Sequence, residues 1–243
     1  MTIINFYKKY YYENFDKYPD GYEYETGVAK VVPRVDWIGK VLELYSEGGI
    51  VQLSKHGYKG YKLSDIEGLY IELWYDGDDT ENGITIYLET KKGDESRMIE
   101  IASGDTYPSW NPIVSIYYEK TDMTRNFRCT MVDAKFIALL ITGRNIYVYA
   151  NAVYDIDNNI QISEEKKWVK LIDIDVDYCG EVTFWLRKRK YHIDEICHGA
   201  FAWSPEEAFV RGLIDAINQL LPILLVLLFI VILVEVIRWG RYA

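Results

Sequence analysis

Between residues 28 and 203 the chain alternates apolar and polar positions in short runs dense in β-branched and aromatic side chains. Such runs, with a period of two, predict half-buried strands. The pattern places them at 37–45, 50–53, 69–75, 84–90, 97–102, 113–119, 127–132, 146–154, 168–176 and 182–191. Turn-forming stretches separate them: EGG, DGDDTENG, KKGD, SGDTYPSWNP, TGRN, DIDNN and CG. Ten strands at short spacing, with no long helical run between them, predict an all-β fold: an antiparallel β-sandwich of the jelly-roll or Greek-key type. The segment DAKFIALLIT (133–142) fits either a helix or a buried strand. Residues 1–27 interleave tyrosines with charges and predict a Tyr-rich N-terminal arm packed on a neighbouring molecule.

The alternation stops at residue 204. Ser204-Pro205-Glu206-Glu207 has the form of a capping box with proline at the first helical position. After it, Phe209, Leu213, Ala216, Ile217 and Leu220 share one helix face, opposite Glu207, Arg211, Asp215 and Asn218. Residues 204–219 thus predict an amphipathic stalk helix. From Leu220 to Val234 every residue except Pro222 is strongly apolar, through Leu221, Leu228 and Phe229, and no charge occurs between Ala216 and Val234. A helix needs about 20 such residues to cross a hydrocarbon core roughly 30 Å thick. Residues 220–239 therefore predict a transmembrane helix, with Arg238, Trp239, Arg241 and Tyr242 at the interface and a short tail at 240–243. A single helix over 205–239 would be about 52 Å long, so its first turns would stand outside the membrane.

The opening stretch carries no apolar core of a signal peptide, which predicts a tail anchor with the N-terminal domain on the cytosolic side. Two arginines beyond the span against Arg211 before it lean the other way by the positive-inside rule, but by a small margin. The chain has 37 acidic and 27 basic residues. Setting aside four acidic and three basic residues in the last 40 leaves 33 and 24 in the body. That acidity disfavours nucleic-acid binding by the β domain. Three cysteines do not make a disulfide scaffold, and no Asn-x-Ser/Thr sequence supports glycosylation. Tyrosine, at 22 residues, is the outlier, an amphipathic side chain suited to sheets and protein contacts.

Candidate chemistry is sparse. Cys179, His192, Cys197 and His198 are the right residue types for tetrahedral zinc, in a spacing that matches no standard ligand pattern, and a Cys179–Cys197 disulfide is the alternative use. Asp78, Thr80, Asn82, Gly83 and Glu89 imitate a calcium loop, but strand-like flanks favour an acidic hairpin tip. Asp173, Asp175 and Asp177 fall on one face of a predicted strand, where three carboxylates could grip a cation or serve as glycosidase residues; the plainer reading is a solvated row that RKRK (187–190) would neutralise across a hairpin. KHGYKGYK (55–62) mixes cations and tyrosines as single-strand binders do, with an exposed hairpin the plainer reading. No nucleophile elbow, phosphate loop or dinucleotide motif occurs. No cofactor and no enzymatic activity are expected.

These features predict a membrane-anchored structural or assembly protein. Its partners would be the lipid bilayer and other structural proteins, met through the β domain and the arm within a larger assembly. The specific expectation is a capsid-associated component of a membrane-containing virus particle, linking the shell to an internal membrane. The alternatives are a cellular tail-anchored binding or scaffold protein and a membrane-tethered hydrolase.

Overall fold

The computed structural model describes residues 3–25, 28–34, 39–45, 49–75, 83–104, 111–133, 135–188 and 190–240. In chain order the strands are β1 (Asn5–Glu13), β2 (Glu23–Glu25), β3 (Ala29–Pro33), β4 (Lys40–Tyr45), β5 (Ile50–Gln52), β6 (Tyr61–Lys62), β7 (Glu67–Trp74), β8 (Gly83–Lys92) and β9 (Glu95–Gly104). They continue with β10 (Ile113–Tyr118), β11 (Met123–Thr130), β12 (Phe136–Ile141), β13 (Asn145–Ala150), β14 (Ala152–Asp155), β15 (Ile160–Ser163), β16 (Lys167–Asp173), β17 (Tyr178–Lys188) and β18 (Lys190–Ala202). One helix, α1 (Pro205–Gly240), ends the chain. The fold is all-β, two antiparallel sheets followed by a long apolar helix. It divides into two units, residues 9–200 and residues 1–8 with 201–243.

In the larger unit the first sheet runs β16-β13-β12-β7-β18-β4-β3-β2, with β1 also on β18. The second runs β15-β14-β11-β10-β9-β8-β17-β5, with β6 also on β17. Eight links between consecutive strands change sheet; β6/β7 and β16/β17 lie at one end, and the other six, β4/β5, β7/β8, β11/β12, β13/β14, β15/β16 and β17/β18, each join two strands into one long arm. Both sheets hold these six arms in one lateral order, and the antiparallel pairing puts all six crossings at the same end. The β9–β10 hairpin is inserted in the second sheet only. The sandwich is thus a folded array of long arms, and one apolar core fills the fold, including Leu42, Leu69, Ile71, Ile86, Ile101, Phe127, Leu139 and Phe184.

Several expectations change. Residues 146–154 form two strands, β13 and β14, in different sheets, because Asn151 turns the corner; its amide donates to Thr130 O and its side chain to Met131 O, both at 2.8 Å. Of the ambiguous stretch 133–142, Phe136–Ile141 form strand β12, buried along almost its whole length. The strand expected at 182–191 is divided between β17, which ends at Lys188, and β18, which begins at Lys190 in the other sheet; β18 runs on to Ala202, where no strand was expected, and its side chains from Tyr191 onward are all buried. The N-terminal segment is no free arm: Phe15 is fully buried, and Tyr11 and Tyr24 join the core of their own chain. Glu13 anchors that segment, accepting from the Tyr24 hydroxyl at 3.0 Å and the Phe15 amide at 3.1 Å. Trp37, at the start of an expected strand, lies outside the described residues.

Candidate functional site

The cap of α1 forms largely as its residues dictate. Ser204 Oγ accepts from the Glu207 amide at 3.1 Å, and Glu207 Oε2 reaches back to the Trp203 amide at 3.2 Å, one residue before the usual target. Arg211 Nε bonds Glu207 Oε1 at 2.8 Å, the i,i+4 pairing that supports a helix surface. Pro222 sits inside the helix without ending it, at the loss of one backbone bond. The helix is long and apolar enough to span a membrane, and among the described residues none covers its apolar window. Leu220, Leu221, Leu228, Phe229 and Val234 are all about half exposed or more, and Trp239 reaches 78%. Arg238 lies 3.7 Å from Glu235. Arg241 and Tyr242 lie outside the described residues.

The four zinc candidates do not converge. His192 and Cys197 are on the outer face of the first sheet, opposite Trp74 and Tyr70 respectively, whereas His198 faces the core opposite Leu69. Cys179 is on β17 in the second sheet, opposite Thr90. His198 Nε2 donates to Lys62 O at 3.0 Å, and its Nδ1 lies 2.9 Å from the Tyr58 hydroxyl. Burial lowers the His198 pKa to about 4, so the ring is neutral with both nitrogens occupied. Among the described residues no group of three or more His, Cys, Asp or Glu side chains is arranged to hold a metal. Cys179 and Cys197 are both free thiols, so the alternative disulfide is absent too.

The aspartate row is also rearranged. β16 ends at Asp173, and residues 174–177 form an irregular crossover between the sheets instead of a strand with one acidic face. Asp173 pairs with Lys170 at 3.0 Å. Asp175 collects Lys92 at 3.0 Å, Arg97 at 3.3 Å, Lys120 at 3.5 Å and Arg144 at 3.7 Å. The hydrogen bond from Lys92, helped by Arg97 and against some desolvation, lowers its pKa to about 2. Asp177 accepts the Gly93 amide at 3.2 Å. The cations come from β8, β9 and two turns, not from residues 187–190; of that basic run, Lys190 pairs with Glu43 at 3.0 Å. The 55–62 stretch is a 3-10 turn leading into β6, with Tyr58 buried, which removes the exposed-hairpin reading. Asp78, Thr80 and Asn82 lie outside the described residues, and Gly83 and Glu89 belong to β8.

Local pattern did not reveal a buried polar row on the outer face of the first sheet. Lys30, Glu43, His192, Trp74 and Phe136 are directly opposite one another across β3, β4, β18, β7 and β12. Glu43 accepts from His192 Nε2 at 3.1 Å and from Lys30 and Lys190 at 3.0 Å each. Beside this row, Glu72 accepts from the Tyr70 hydroxyl and from Trp74 Nε1, both at 2.6 Å. Arg34 stacks on the Trp74 ring at 4.3 Å, pairs with Asp194, and lies 3.6 Å from Glu72. A bulge makes this possible: Asp194 and Glu195 both fit between Ile193 and Ile196, where β7 supplies the single residue Glu72. Two buried carboxylates thus share one guanidinium. Burial first, and the neighbouring Glu72 charge second, raise the Asp194 pKa well above the carboxylate range. The cluster is internally satisfied at Glu72, whose two oxygens are both taken, so the arrangement serves to lock β3, β7 and β18 together. On the second sheet a shallow groove of about 420 Å³ is lined by Arg128, Thr130, Tyr154, Asn159 and Gln161, among others, with no carboxylate, histidine or cysteine in its lining.

Neither a scan against protein-family models nor a comparison with curated proteins returns a match for this chain.

Proposed function

We propose that this chain is a membrane-anchored structural protein, and specifically a capsid-associated component of a membrane-containing virus particle that links the shell to an internal membrane. The observation that carries the anchor is α1 itself: 36 residues, about 54 Å of helix, with the side chains from Leu220 to Val234 exposed among the described residues. Fourteen strongly apolar residues, each worth about −0.3 to −0.6 kcal/mol at mid-membrane, outweigh the single proline. In water the same surface would be a severe aggregation liability.

The shell placement draws on the sandwich. Its six arms lie side by side in the order first, last, second, third, fourth, fifth, counted along the chain. That winding, with first and last arms adjacent, supports a jelly-roll reading, and jelly rolls are recurrent building blocks of capsids. The cytosolic side is supported by Cys129, Cys179 and Cys197, all buried thiols without a disulfide. A catalytic role gains no support from Glu72 and Asp194, whose carboxylates are engaged with their own chain.

Two measurements test the proposal. Full-length protein expressed in cells should stay in the pellet when membranes are washed with alkaline carbonate; release into the supernatant would remove the anchor. In its native source the protein should occur at many copies per particle and co-purify with the particle membrane. Recovery only from dispersed cell membranes would replace the shell role with the scaffold one.

A further inference from the structure

The smaller unit shows two differently treated faces on the first turns of α1. Glu207, Ala208, Arg211, Gly212 and Asp215 are half-buried, and the N-terminal segment of the same chain lies there. Lys8 Nζ is 3.4 Å from Asp215 Oδ2. A Cβ on Gly212 would stand 3.7 Å from Tyr7 Cβ, at ordinary van der Waals contact, so the segment lies directly against this side of the helix. The opposite face is bare: Phe209 is 72% exposed, and Val210, Leu213, Ile214 and Ile217 are each just over 50%.

We infer that this bare face is where a second copy of the chain docks, parallel and in register, to form a coiled-coil stalk. Apolar residues recur at spacings of three and four: Val210, Leu213, Ile217, Leu220, Leu224, Leu227, Val231 and Val234. This is a heptad seam that continues from the stalk into the apolar span. β-branched residues occupy three of its four a positions (Val210, Ile217, Val231), and leucine occupies three of its four d positions (Leu213, Leu220, Leu227), the pairing that suits parallel strands. The polar residues beyond Val210 support the same register. Arg211, Asp215, Asn218 and Gln219 fall at b, f, b and c, the positions that face away from a partner helix. The N-terminal segment packs on that outward side, and among the described residues the seam side chains stay exposed.

Lipid is a poor substitute for this partner. With Leu220–Trp239 filling a hydrocarbon core of about 30 Å, Phe209 to Ile217 stand outside it. Sinking them further would drag Arg211 and Asp215 into the apolar layer, where charges are strongly disfavoured. The parallel, level arrangement rests on the anchor proposed above, since copies held in one membrane in one orientation meet at identical heptad positions.

The test uses single cysteines in the full-length chain in membranes, on the background of the three buried native thiols. Leu213→Cys and Ile217→Cys, on the seam, should form disulfide-linked dimers under mild oxidant at least about fivefold more readily than Asn218→Cys and Gln219→Cys on the outer side, because only seam positions bring Cα atoms within disulfide reach. Equal yields at all four positions, or no dimer at any, would overturn the inference. Carbonate extraction of the same samples keeps the two readings apart. Anchored protein without the pattern removes the docking alone, and released protein that keeps the pattern removes the anchor alone.

Discussion

Glu43 offers the sharpest test of how the first sheet is held together. It sits on β4 with Lys30 of β3 and His192 of β18 directly opposite, and its carboxylate accepts from both and from Lys190. Burial on its own would raise its pKa, but the three donors outweigh burial, and the value falls from 4.5 to about 2. That fall corresponds to roughly 3 kcal/mol of preference for the ionised form. The two lysines are 40% and 38% exposed, so water screens part of the attraction, and about 1–3 kcal/mol is the working figure. Because the folded pKa lies below the unfolded one, the native state binds fewer protons between about pH 2 and 4.5. The contribution is therefore complete above pH 4.5 and is lost as the pH falls to about 2. Glu43→Gln, nearly isosteric, should cost about 1–3 kcal/mol at pH 7 and nothing near pH 2. Urea unfolding of the detergent-solubilised chain, followed by tryptophan fluorescence across that range, measures both. An equal loss at every pH would show a packing defect in place of lost charge pairing, and no loss at pH 7 would refute the network's role.

Asp194 should respond with the opposite sign: its folded carboxyl keeps a proton that the unfolded chain releases near pH 3.8, so it loses stability as the pH rises above about 4. Asp194→Asn leaves Arg34 with Glu72 alone and should melt above the parent at pH 8.5, with the gap closing towards pH 4; a variant that melts lower at pH 8.5 refutes this. Gly143→Ala, in the β12–β13 turn, would place a Cβ 2.9 Å from Val176 O, 3.0 Å from Ser64 Cα and 3.1 Å from Leu63 O, all backbone. The crowding should cost about 1–3 kcal/mol in urea unfolding, and an unchanged midpoint would mean those segments have slack.

Much of the fold is legible in the sequence where one local rule decides it. Runs such as ITIYLE and IVSIYYE alternate because one face is buried and the other wet, and β8 and β10 lie where that period places them. The cap at Ser204 and the apolar run after it are equally local, and α1 begins at Pro205 as expected. Where both faces are buried the alternation vanishes. β18 reads KYHIDEICHGAFA, with buried Asp194, Glu195 and His198 among apolar residues, so nothing in its pattern announces a strand. Corners are invisible for the opposite reason: the alternation of β13 resumes in β14 across Asn151, and no local signal marks the change of sheet.

Local pattern therefore establishes only the elements whose stability is settled within a few residues: alternating strands, the helix cap and an apolar helix of spanning length. Tertiary structure alone decided which elements meet. Arg34 and Asp194 are 160 positions apart, and their pairing depends on β18 lying beside β7 with a bulge at the right place. The same holds for Asp175, whose four cations come from separate strands and turns. A buried charge is tolerable only when partners reach it, and those partners are brought by the folding of the arms, a long-range event that no window of sequence contains.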